Sequence, residues 1–217
     1  MTDLFVTEVG SRMWGMEKPD SDYDMFHVFA QPSDDYLRRS SFDTTHPHKT
    51  FFEDGKEIDA QFMEIGHLIG LLKKGNVNAI WAVCSPVVHI ESGYRSLLKK
   101  LVQENLSSAT YASVNGMAHS QMNDTKKRAT VRDPEKSRNT AARTLQFGIT
   151  LLNKHILRFE PVSDSTPSEV GELFRVMEDA RDKTSLPDSV DRAPFEEFIF
   201  ELRMAEIIGN HPNIRIK

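Results

Sequence analysis

Asp22 and Asp24 lie one residue apart in the stretch VGSRMWGMEKPDSDYDMF, residues 9–26. Two like charges at this spacing repel, and neither helps to build a core. On a strand, residues i and i+2 face the same side. The two carboxylates then project together while Tyr23 turns away. Paired oxygen ligands suit a hard divalent cation, Mg²⁺ above all, which keeps waters and takes substrate phosphates as further ligands. Mn²⁺ is served by the same donors.

The stretch also carries Gly10-Ser11, directly after the apolar segment LFVTEV. A small-residue turn at the end of a strand offers backbone N–H groups, and here a serine hydroxyl, to a phosphate. Arg12 adds a positive charge beside it. A phosphate cradle next to paired acids suits phosphoryl or nucleotidyl transfer, in which a metal bridges carboxylates and triphosphate. A third carboxylate commonly completes such a site. Asp59 is the foremost candidate, with Glu57 on the same face in reserve. A bare D-x-D is common on surface loops, so the specificity lies in the joint pattern. That pattern is a strand, Gly-Ser, an acid pair opening a second strand, and an acid on a later strand. The Walker A spacing G-x-x-x-x-G-K-[ST] is absent.

These residues need elements to hold them. LFVTEV (4–9) and YDMFHVFA (23–30) are rich in β-favouring side chains and predict two strands. Ser33 is placed as the N-cap of a short helix in SDDYLRRSSF. KTFFEDGKEIDAQFM predicts a hairpin turning at Asp54-Gly55. In its second arm Ile58, Ala60 and Phe62 alternate with Glu57, Asp59 and Gln61, giving one apolar and one polar face. From residue 64 the period becomes helical, breaks at Gly75-Asn76, resumes, and stops at Pro86. VVHI (87–90) predicts one more strand.

Helices are predicted thereafter over about 93–104, 109–122, 134–157, 168–181 and 194–208. Asn76 and Asn78 are cap candidates, and Thr166-Pro167-Ser168-Glu169 is a capping box with proline at the first helical position. Ala142, Leu145, Ile149, Leu152 and Ile156 form a packing stripe on the longest helix. The chain thus divides near residue 92, with an α/β part over 1–92 and an all-helical part over 93–217 packed on it.

Hydrophobic residues make up 39% and charged residues 27%, enough apolar material for a core. No apolar run approaches the roughly 20 residues that cross a bilayer. The N-terminus lacks a basic start before an apolar stretch, and Cys84 has no partner for a disulfide, so a cytoplasmic protein is expected. The net charge of -5 argues against a basic coat, yet 119–158 holds nine Lys/Arg against Asp124, Asp133 and Glu135. Such a segment meets either solvent or a polyanion, a triphosphate or a nucleic acid.

GSRMWGMEKPDSDYD resembles the signature of the DNA polymerase β-like nucleotidyltransferase superfamily. In the form G-S-R-x-x-G-x-x-x-x-x-S-D-x-D it is similar to one branch, the RNA repair pathway DNA polymerase β family. EIDAQFMEIGHLIGLLKKGNVNAIWAVCSP and KSRNTAARTLQFG extend the likeness, which covers about residues 4–158. The resemblance implies a polymerase β-like core with a small mixed sheet, followed by helices. It implies Asp22, Asp24 and Asp59 as catalytic metal ligands, and Gly10, Ser11 and Arg12 as nucleotide-binding residues. Lys136 and Arg143, seven apart on one helical face beside the packing stripe, are expected to reach phosphates. Arg138 falls on the stripe instead, at its N-terminal end.

The implied reaction moves a nucleoside monophosphate from an NTP to a hydroxyl, with pyrophosphate released. The acceptor stays open between an RNA or DNA end and a protein side chain. The rival is a nucleotide-binding partner protein of antitoxin type that does not turn over; three intact acids favour activity. Cys84 and Trp14 are expected in the packing. His46-Pro47-His48 lacks the cysteines of a zinc site.

Overall fold

The computed structural model describes residues 3–19, 21–33, 48–53, 55–127 and 134–210. Five strands form one mixed sheet: β1 (Asp3–Glu8), β2 (Tyr23–Phe29), β3 (Lys49–Glu53), β4 (Lys56–Glu64) and β5 (Val88–Ile90), in the order β3-β4-β2-β1-β5. β1 and β2 are antiparallel, with Glu8 opposite Met25. β2 and β4 are parallel, with Asp24 level with Asp59. β3 closes the outer edge as the first arm of the predicted hairpin, with Thr50 opposite Asp59. The helix foreseen from Ser33 and the Asp54 position of the hairpin turn lie outside the described residues.

Seven helices are found among the described residues: α1 (Ile65–Leu72), α2 (Val77–Cys84), α3 (Gly93–Glu104), α4 (Thr110–Lys127), α5 (Pro134–Lys154), α6 (Pro167–Lys183) and α7 (Ala193–Asn210). Local chemistry sets their starts. The Glu64 carboxylate accepts from the Gly66 N–H at 2.6 Å, Asn76 from Ala79 at 3.1 Å and Ser92 from Arg95 at 3.3 Å. Thr166 and Glu169 close a reciprocal capping box at the start of α6. Asn78 caps nothing; it sits inside α2. α5 ends at Lys154, with His155 left-handed at φ 57°. The predicted stripe is therefore one residue too long: Ala142, Leu145 and Leu152 are buried, but Ile156 lies past the helix end and is exposed.

A single hydrophobic cluster runs from Phe5 on β1 through α1 and α2 to Phe147 on α5 and Leu202 on α7. The last helix is tied to the sheet by polar contacts as well. Arg203 pairs with the buried Glu64 carboxylate and donates to the Gln31 carbonyl at 2.7 Å. Ser33 donates to Glu206 at 2.6 Å, and Lys73 pairs with Glu196 at 2.8 Å. Glu64 thus caps α1 and anchors α7 at once. No helix among the described residues is long and apolar enough to cross a membrane.

Candidate active site

β1 ends in a turn whose first residue has no room for a side chain. Gly10 is left-handed at φ 69°, and a Cβ there would stand 1.7 Å from Asp24 Oδ2. The Val9 N–H donates to the Asp24 carbonyl at 2.8 Å, which fixes the turn against β2. Ser11 then opens a short 3-10 turn over Arg12–Trp14, and its carbonyl accepts from Trp14 and Met16, each at 3.1 Å. The Ser11 hydroxyl makes no capping bond. It remains free to meet a ligand.

Asp24 is the electrostatic centre of the region. Burial pushes its carboxyl up to about 6, and the charges of Asp22 and Asp59 push the same way, with a smaller push from Glu8. The Lys136 ammonium draws it back down. The three acids and Lys136 therefore sense one another across elements far apart in sequence. Asp22 precedes β2 rather than lying within it, and Asp59 stands beside Asp24 in register. Glu57, the reserve, sits two residues further out, opposite Phe52.

Asp59 carries partners of its own. His48 Nε2 lies 2.6 Å from Asp59 Oδ1, and the Thr50 hydroxyl donates to the same oxygen at 3.4 Å. Oδ2 is left without a partner among the described residues. His48 thus serves an acid, a role its sequence neighbourhood gave no sign of. Second-layer hydrogen bonds of this kind hold a carboxylate in one orientation.

Arg143 and Lys136 share α5 but not an environment. Lys136 is exposed. Arg143 is largely buried, with its guanidinium 5.5 Å from the centre of the Trp14 ring. Burial draws Arg143 down to about 10, and the negative Asp24 pulls the other way. Its contacts are weak: Met16 Sδ at 4.0 Å and the Thr140 hydroxyl at 3.4 Å, with Nε buried and unbonded. A buried guanidinium with an idle donor is suited to an incoming anion. Arg138, on the same helix, donates to the Ser165 carbonyl at 3.3 Å.

Arg12 is tied into the scaffold. It pairs with Glu8 at 3.1 Å, donates to the Ser21 carbonyl at 3.1 Å and lies 3.9 Å over the Tyr23 ring. Glu8 is buried and also meets His89 Nε2 at 2.9 Å. The Ser85 hydroxyl donates to the Glu8 carbonyl, and Arg95 donates to the Ser85 carbonyl at 2.7 Å. This chain of contacts braces both ends of the loop from the Gly10-Ser11 turn to the acid pair. Glu8 went unnoticed in the sequence because it reads as an ordinary strand residue.

Trp14 packs as expected, and it also links the two halves of the site. Its ring lies 5.3 Å from Trp81, 6.0 Å from Phe147 on α5 and 5.2 Å from Phe159. The Gly10-Ser11 turn and the helix bearing Lys136 and Arg143 meet through it.

Whether the residues suit a divalent cation turns on the charge they leave uncompensated. No three His, Cys, Asp or Glu side chains among the described residues already surround one point. The fit lies in Asp24, a buried carboxyl raised by burial and by two neighbouring acids, seated in the space that the missing Gly10 side chain leaves to it. Two carboxylates and substrate oxygens satisfy Mg²⁺, which does not require an all-protein cage.

The profile of the RNA repair pathway DNA polymerase beta family matches residues 2–159. That span includes every candidate site residue. No curated protein sequence matches the chain. Among solved structures, a nucleotidyltransferase-like protein from Exiguobacterium sibiricum 255-15 is similar at 12% identity and a TM-score of 0.36, covering 95% of this chain and 70% of that one.

Proposed function

Since the chain belongs to the RNA repair pathway DNA polymerase beta family, and is thus nucleotidyltransferase-like, we propose that it transfers a nucleoside monophosphate from an NTP to a hydroxyl acceptor, with pyrophosphate released. The observation that carries this reading is Asp24. Its carboxyl lies against Gly10, in register with Asp59, and is raised to about 6 by burial and by Asp22 and Asp59. A fold tolerates such a concentration of negative charge at a cost, and a bound cation removes the cost.

Asp22, Asp24 and Asp59 would hold Mg²⁺ or Mn²⁺, which when bound neutralises charge developing on the triphosphate during in-line displacement. The Gly10-Ser11 turn supplies backbone N–H groups and a free hydroxyl to phosphate oxygens. Lys136 and Arg143 attract the leaving pyrophosphate and stabilise its growing charge. Asp59, held through Oδ1 by His48 and Thr50, would have Oδ2 left for the metal or the acceptor hydroxyl. In this reading Arg12 positions the acid loop from Ser21, in place of the direct nucleotide contact expected from sequence. Residues 1–92 then form the catalytic module, and the helices over 93–217 complete it with two cations.

The test is to incubate the protein with each labelled NTP, Mg²⁺ or Mn²⁺, and RNA, DNA and protein acceptors. Label transfer that is lost in Asp22→Ala and Asp24→Ala supports the reading. NTP binding with no transfer to any acceptor would leave a nucleotide-binding protein of the antitoxin type.

A further inference from the structure

Asp22 and Asp24 do not have the same support. Asp24 lies within β2, level with Asp59 on the neighbouring strand. Asp22 stands just ahead of the sheet, because pairing with β4 begins at Tyr23, level with Ile58. A carboxylate outside the ladder has freedom that it must give up to share a cation with its neighbour.

One guanidinium grips the residues on both sides of Asp22. Arg12 donates through Nη2 to the Ser21 carbonyl at 3.1 Å, and its guanidinium carbon lies 3.9 Å from the centre of the Tyr23 ring. Arg12 is held in turn by Glu8 at 3.1 Å, and Glu8 meets His89 at 2.9 Å. Ser21 is fixed a second time: its hydroxyl accepts from the Lys18 N–H at 2.8 Å, and its own N–H donates to the Lys18 carbonyl at 3.0 Å. From the other side Lys56, on β4, donates to the Tyr23 phenol oxygen at 2.6 Å. Tyr23 is thus tied through its ring to the turn that follows β1, and through its hydroxyl to the strand that bears Asp59.

Strand alternation sets these contacts behind the acids. Tyr23 alternates with Asp24, and Lys56 comes out on the face of Ile58, which is level with Tyr23. Tyr23 therefore acts on the acid pair through the backbone of Asp22 and through Arg12, without touching what the acids bind. A tyrosine suits both partners. The ring face attracts a guanidinium, and the phenol oxygen accepts from an ammonium. Phenylalanine would keep the first contact, and leucine neither.

We propose that Tyr23 is a positioning residue for the candidate metal site: gripped by Arg12 and Lys56 behind the sheet, it sets Asp22 beside Asp24 so that the two carboxylates take one divalent cation together. This rests on the nucleotidyl-transfer reading and adds to it a residue on the face turned away from the acids.

The experiment reads the cation itself. Mn²⁺ is titrated into the nucleotide-free full chain at a pH well above 6, where Asp24 is ionised, and followed by electron paramagnetic resonance. A non-hydrolysable NTP is titrated separately without metal. Tyr23→Leu should weaken Mn²⁺ binding about 10-fold, the lower end of what losing an outer support costs a metal site. Tyr23→Phe should return to within about 3-fold of wild type, since it gives up one hydrogen bond at an exposed position. Arg12→Lys keeps a charge beside Glu8 but loses the planar fork that spans Ser21 and Tyr23. It should match Tyr23→Leu in Mn²⁺ affinity and leave NTP affinity unchanged. A folded Tyr23→Leu with wild-type Mn²⁺ affinity and a lower melting temperature makes the tyrosine merely structural and overturns the proposal. Arg12→Lys that keeps Mn²⁺ affinity but loses NTP affinity overturns it too, because Arg12 then meets the nucleotide directly. Should Tyr23→Leu fail to fold, Arg12→Lys decides alone. Wild-type Mn²⁺ binding that survives both Asp22→Ala and Asp24→Ala, or no Mn²⁺ binding at all, brings down the metal-site reading, and the role of Tyr23 with it.

Discussion

Gly10 and Asp24 share one space: the position a Cβ would take on Gly10 is 1.7 Å from the Asp24 carboxylate. The pairing joins the Gly10-Ser11 turn to the acid pair more tightly than sequence spacing suggests. Gly10→Ala is strained twice, by the left-handed φ of 69° and by the collision. The carboxylate, at the end of a short side chain, must move. Transfer should fall by about 100-fold, the usual consequence of misplacing a catalytic group by about 1 Å. Thermal unfolding should show a loss of about 1–2 kcal/mol. Near-normal turnover in Gly10→Ala would mean that Asp24 is not held where the reaction needs it.

Asp24 makes the metal-free protein sensitive to pH. Its ordinary value of 3.8 is raised to about 6 in the fold. Between those values the folded state keeps a proton that the unfolded chain gives up. Stability is therefore highest below about 4 on this group's account and declines as pH rises through 6. Asp24→Asn should remove that decline and stabilise the metal-free protein at neutral pH by about 1–2 kcal/mol, a figure reduced for the water that reaches the carboxyl. The same variant should lose transfer. Urea unfolding without metal on both sides of pH 6 checks the sign; a wild type that gains stability through this window relative to Asp24→Asn would refute it.

The proton and a divalent cation compete for the same carboxyl. Mg²⁺ affinity should rise with pH up to about 6 and then level off. Calorimetric titration of metal at several pH values, without NTP, reads this directly. A pH-independent affinity would place the cation away from Asp24.

Arg143 and Lys136 should separate under mutation. Arg143→Ala removes a buried donor that has no strong partner, along with some packing on Trp14, so stability should change by no more than about 1 kcal/mol. NTP affinity should drop about 10- to 100-fold, as befits a charge-assisted hydrogen bond. Lys136→Ala, at an exposed site, should have a smaller effect that disappears in high salt. Arg143→Lys should recover only part of the affinity because the planar fork is lost. Equal, fully salt-screened losses at both positions would show that Arg143 acts as a distant charge.

Arg203 offers the opposite profile. Arg203→Ala strands the buried Glu64 carboxylate without its ion-pair partner. The expected loss is about 3 kcal/mol of stability. NTP affinity of the folded protein should be unaltered, measured at a temperature where the variant is still folded. A changed affinity with unchanged stability would reverse this assignment.

Much of the candidate site was legible because its signals are local. Gly10-Ser11, the acid pair and the alternation that turns Asp59 to the polar face all lie within single strands or turns. The capping box at Thr166 and the Asn76 cap are local too. What escaped was set by register and packing. Glu8 meets His89 only because β5 pairs with β1, and His48 reaches Asp59 only because β3 pairs with β4. Arg143 was read as lying beside the packing stripe on the face it shares with Lys136; its burial depends on Trp14, which is distant in the chain. Ile156 was counted into a helix that ends before it, since periodicity continues past a left-handed His155 as easily as through it.

The link between Trp14 and α5 also has a consequence in time. A ribosome delivers the acids and the phosphate turn first, while Lys136 and Arg143 emerge some way behind. Arg203, which fastens the last helix to Glu64, comes later still. Domains generally fold as units during synthesis, and one hydrophobic cluster joins β1 to α5 and α7. The early strands would therefore wait for α5 and α7 before their core closes. On the proposed reading, the nucleotide site would be complete only late in translation.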